Sequence, residues 1–103
     1  MKNFHEAVLK TDVSKELSKA YKKALEIENE RKWVENPITL NGETTTNVKP
    51  VWGGCYANVD ITESKEEGNA ELILTLVSRT LPNLKEAVKS YERDGFEVIQ
   101  TNY

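Results

Sequence analysis

A chain of 103 residues has the length of one ordinary domain, so residues 1–103 are expected to form a single domain. With 38% hydrophobic and 30% charged residues the composition suits a globular protein, and no apolar run approaches the ~20 residues of a membrane span. The net charge is −3, with residues 1–35 at +1 (eight Lys/Arg, seven Asp/Glu) and residues 36–103 at −4 (six against ten). That balance leaves no basic stripe of the kind that supplies nucleic-acid affinity.

Residues 3–10 predict one or two helical turns, with Asn3 as cap, Glu6 three residues on, and Phe4 and Val8 on one face. Asp12 predicts a fresh N-cap. From there a long helix is expected over Val13 to Glu35, with Val13, Leu17, Ala20, Ala24, Ile27 and Val34 at four-and-three spacing. Tyr21 and Leu25 widen that stripe, and Lys15, Lys19, Lys22, Glu26 and Glu30 form the solvated side. The stripe suits a helix docked on the domain's own sheet, and a helix paired with a partner or a second copy is the alternative.

Asn36-Pro37 ends the helix, because the residue before proline avoids helical geometry. Asn41-Gly42 between Ile38-Thr39-Leu40 and Glu43-Thr44-Thr45-Thr46 predicts a tight hairpin at the periphery. Gly53-Gly54 predicts a bulge or bend. From Cys55 to Thr62 the chain alternates: Cys55, Ala57, Val59 and Ile61 face one way, and Tyr56, Asn58, Asp60 and Thr62 the other. After an acidic turn over 63–69, a strand from Ala70 to Val77 is apolar on both faces and therefore central. Leu81-Pro82 opens a second helix with Leu84, Ala87, Val88 and Tyr91 inward, Gly95 closes it, and Phe96, Val98 and Ile99 make a last strand. The expected fold is α+β. A long N-terminal helix packs on a small mixed sheet of three to five strands, and the C-terminal strand-helix-strand unit has its two strands parallel.

The residue inventory is poor in chemistry. His5 is the sole histidine and Cys55 the sole cysteine, which cannot make a tetrahedral zinc set or a persuasive nucleophilic dyad. The alternation points Cys55 inward, and Gly53-Gly54 lacks the Lys-Ser/Thr pair and following helix of a phosphate loop. Asp60, Glu63, Glu66 and Glu67 read as solvated decoration of a turn. No catalytic residue, metal or cofactor is assigned, and the chain is expected not to be an enzyme.

The candidate site is the wet strand face, Trp52, Tyr56, Asn58 and Asp60, since Trp and Tyr are enriched at binding hot spots and also stack on single-stranded nucleic acid. The stretch Trp52 to Ile61 resembles a strand of the phage single-stranded-DNA-binding proteins that accompany recombinases. About ten residues of 103 carry the resemblance. It implies nucleic-acid binding, but the family's Gly-rich continuation is replaced by the acidic turn and its basic groove is missing.

The first expectation is therefore a small protein-interaction module, a regulator or inhibitor acting on another protein or pairing with its own copy. A single-stranded nucleic-acid-binding accessory protein is the alternative, disfavoured by the acidic charge. The abundance of Lys, Glu and Asn suits an AT-rich genome, such as that of a phage or mobile element. The single cysteine and the absence of a basic-then-apolar leader point to the cytoplasm.

Overall fold

The computed structural model describes residues 5–29, 32–40, 43–51 and 54–103, with residues 32–40 and 43–50 at the level of the backbone. Among the described residues eight elements follow in chain order: β1 (His5–Ser14), α1 (Lys19–Asn29), β2 (Lys32–Leu40), β3 (Glu43–Val51), β4 (Cys55–Glu63), β5 (Asn69–Ser78), α2 (Leu81–Arg93) and β6 (Glu97–Asn102). The sheet order is β2-β3-β4-β5-β1-β6 and every neighbouring pair is antiparallel. β4, β5, β1 and β6 form the platform that carries the helices. The domain is α+β, as expected, but its sheet is antiparallel rather than mixed.

The long N-terminal helix is not there. His5–Ser14 is a strand between β5 and β6, and α1 starts only at Lys19. The alternation of Ala7, Leu9, Thr11 and Val13 decides this: Ala7 pairs with Leu76 and Leu9 with Leu74. Glu6 and Val8, on the opposite face, are also buried, as a central strand requires. The local cap signals at Glu6 and Asp12 lose to that tertiary pairing, and Asn3 and Phe4 lie outside the described residues. Asp12 instead accepts hydrogen bonds from Ser64 Oγ and Asn69 Nδ2 (3.2 Å).

Ser14 Oγ accepts from the Glu16 and Leu17 N–H groups, making a turn. Ser18 then caps α1, its Oγ accepting from Tyr21 N–H at 3.3 Å. Ala20, Ala24 and Ile27 are buried as the stripe predicts, whereas Leu17, before the helix, is 87% exposed. Val34 and Pro37 belong to β2, where the register with β3 shifts between Trp33 and Ile38. A proline is accommodated at such an irregularity because one ladder donor is already lost. The hairpin is as expected, with Leu40 opposite Glu43; its turn residues Asn41 and Gly42 lie outside the described residues. Glu30 and Gly53 lie outside them too.

β4 and β5 match the sequence closely. Cys55, Ala57 and Val59 are buried, and β5 is central, with Leu74, Thr75, Leu76, Val77 and Ser78 buried in succession. α2 carries Leu84, Ala87 and Val88 into the core and closes on Gly95, whose φ is +106°. β5 and β6 run parallel, each being antiparallel to β1, which lies between them. β1 and β4 are likewise parallel with β5 between them. Two β-α-β units are thus interleaved, and the β2–β3 hairpin is inserted after α1.

Residues paired across an antiparallel ladder share a face. One face presents Ala7, Leu9, Cys55, Ala57, Val59, Leu72, Leu74 and Leu76, which join Ala20, Ala24 and Ile27 of α1, Leu84, Ala87 and Val88 of α2, and Phe96 in a single cluster. Both helices cover this face. No described helix is long and apolar enough to cross a membrane.

Candidate functional site

The face turned away from the helices carries Tyr56, Asn58, Asp60 and Thr62 on β4. Beside them stand Val77, Thr75, Ile73 and Glu71 on β5, and Glu6, Val8, Lys10 and Asp12 on β1. One end of it is closed: Val77 is 0% exposed and Val8 5%, with Thr75 and Glu6 buried beside them. β2 also comes against β5, although β3 and β4 separate them in the sheet order. Strands three apart in a flat sheet would be about 14 Å apart, so the sheet curls.

The other end is open. Tyr56 and Ile73 are half-buried, Asn58 likewise, and Asp60, Thr62, Lys10 and Asp12 are exposed. Tyr56 stands opposite Val77 on one side and Pro50 of β3 on the other, so its ring sits where the closed end gives way to the open one. Asn58 Oδ1 accepts the Val59 N–H at 3.0 Å, which orients the amide along the strand. Three of the four candidate residues therefore fall in one row on one face; Trp52 lies outside the described residues.

Charge on this face is one-sided. Glu6, Asp12, Asp60 and Glu71 stand with Glu97 of β6, which pairs with Lys10. Lys10 is the cation among them, and its ammonium already meets the Glu71 carboxylate at 3.4 Å. A signal for this existed in the sequence, since alternation assigns Asp60 and Tyr56 to the same side. The contribution of Asp12 did not follow, because the first strand reads locally as helix, and that of Glu71 depends on the register of β5 against β4.

A second feature, which sequence reasoning missed, lies on the helix side. A cleft of about 430 Å³ opens between α1 and α2, lined by Lys23, Val51, Ala87, Ser90, Tyr91 and Arg93, with Glu86 completing the rim. Lys23 of α1 pairs with Asp94, just beyond α2, and its ammonium lies 5.5 Å from the Tyr91 ring centroid. Tyr91 also meets Phe96 edge-on at 5.7 Å. Burial, then the charges of Asp94, Cys55 and Glu26, push the Tyr91 phenol above its ordinary pKa, so it stays protonated at neutral pH. α2 supplies most of the lining at i, i+3 and i, i+4 spacings, a pattern indistinguishable from an ordinary solvated face until α1 is laid beside it.

Cys55 belongs to the core. It is buried, its Sγ lies 3.6 Å from the Asn83 carbonyl oxygen, and burial pushes its thiol up, against a smaller lowering from the Ser78 hydrogen bond. Among the described residues no group of three or more His, Cys, Asp and Glu is placed to hold a metal ion. No family model, no curated protein and no solved structure matches the chain.

Proposed function

We propose that the chain is a protein-interaction module that works by occupying the surface of another protein, as a regulator or inhibitor does, without chemistry of its own. The observation that carries this reading is the row Tyr56, Asn58, Asp60 on a sheet face that neither helix covers. A half-buried tyrosine supplies rigid contact area at small entropic cost, and the flanking amide and carboxylate supply orientation. The surrounding carboxylates favour a partner that presents Lys or Arg. The proposed setting is the cytoplasm, on the strength of a single buried cysteine.

Capture by the immobilised protein, compared across variants, tests the reading. A specific protein retained by the native chain and by Lys85→Gln on α2, but lost with Tyr56→Ala and Asp60→Arg, is the expected result. A partner retained equally by all four contradicts the assignment of the face. Single-stranded nucleic acid is the second reading, favoured by Tyr56 as a stacking surface but opposed by the carboxylates around it, which repel phosphate. An oligonucleotide that shifts the elution of the native protein at low salt, and no longer does so with Tyr56→Ala, selects it instead.

A further inference from the structure

We propose that the cleft between α1 and α2 is a binding site for a small organic oxyanion, its apolar body lying on Val51, Ala87 and Tyr91 and its anionic group between the Arg93 guanidinium and the Ser90 hydroxyl. The site lies on the opposite side of the sheet from Tyr56 and does not depend on the sheet-face reading.

Three observations carry it. The volume, about 430 Å³, is that of a small-molecule pocket, and its lining combines an apolar floor with a few convergent polar groups. Arg93 and Ser90 stand three residues apart on α2 and both border the cleft, and Arg93 has no ion-pair partner among the described residues. A guanidinium presents a planar fork that matches carboxylate and phosphate oxygens. The walls are held: Lys23 is engaged by Asp94 and the Tyr91 ring, so it braces α1 against α2 and leaves Arg93 as the cation able to take a new anion. Glu86, on the rim, lies 3.6 Å from the Lys89 ammonium, which offsets part of its repulsion for an anion.

The test is a titration of the full chain followed by amide chemical shifts. Phenyl phosphate and phenylacetate are separate arms, and benzyl alcohol is the neutral control. Saturable shifts confined to Ala87, Ser90, Tyr91 and Arg93 are expected with the anions, together with weaker changes for the alcohol; the tighter anion identifies the oxyanion preferred. Arg93→Gln, an exposed change at the end of α2, raises Kd about tenfold. Lys85→Gln, also exposed on α2 but outside the cleft lining, leaves Kd unchanged. No saturable shift with either anion at millimolar concentration overturns the proposal. An equal weakening in both variants does so as well, since that is the signature of unspecific charge.

Discussion

Cys55 shows how one buried side chain couples the sheet to a helix. Its thiol sits under α2 beside the Asn83 carbonyl, and burial raises its pKa, as burial also does for Tyr91. Both groups are neutral when protonated, so below their ordinary values, about 8.5 for the thiol and 10 for the phenol, folded and unfolded chains hold the same protons. Above them the unfolded chain ionises first, and stability falls as pH rises until the folded groups ionise too. Denaturant midpoints measured across that window should decline, and the decline should start at higher pH in Cys55→Ala. The native thiol should also resist iodoacetamide until the chain unfolds. Leu74, 0% exposed at the centre of β5, is the residue whose truncation costs most directly: Leu74→Ala should lower unfolding free energy by about 2–5 kcal/mol, measured by urea titration.

At the level of elements, the end of α2 is the best-defined local motif. The Phe96 N–H donates to the Tyr91 carbonyl at 3.2 Å and the Gly95 N–H to the Glu92 carbonyl at 3.1 Å, while the Phe96 and Tyr91 rings pack edge to face. That is a Schellman closure with its hydrophobic contact, and it needs the left-handed backbone that Gly95 adopts. No atom lies within 4 Å of a Cβ built at Gly95, so the cost of Gly95→Ala is conformational alone, about 1–2 kcal/mol by thermal or urea unfolding. This closure was legible in the sequence because glycine and its flanking apolar residues are local signals. So were the Asn-Gly hairpin and the alternation of β4. β1 was not. Its residues satisfy a capping pattern at short range, and only the two neighbouring strands, β5 at the far end of the chain's middle and β6 at its end, reveal it as central. α1 was half legible: Ala20, Ala24 and Ile27 stood out, but the strand pairing of residues 5–14 removed the helix's first turns.

On the scale of the whole molecule, the sheet separates two surfaces of different character. The helix side is closed by an aliphatic core and carries the cleft between α1 and α2; the other side grades from a buried end at Val8 and Val77 to an open acidic end around Asp60. Half of the candidate site was visible beforehand because period-two alternation puts Tyr56, Asn58 and Asp60 in one row. The carboxylates that join them come from two other strands, Asp12 from β1 and Glu71 from β5, and the cleft arises from two helices docked side by side, so neither could be read from local pattern. On the proposed function the open sheet face, and not the helix face, receives a protein. Carbodiimide labelling of carboxylates, read by mass spectrometry in buffer and in extract of the cells that make the protein, tests it most directly. Protection of Asp60, with Glu86 and Glu92 on α2 labelled equally in both, is the predicted result. Unchanged labelling of Asp60 with protection confined to the α2 carboxylates would contradict the claim.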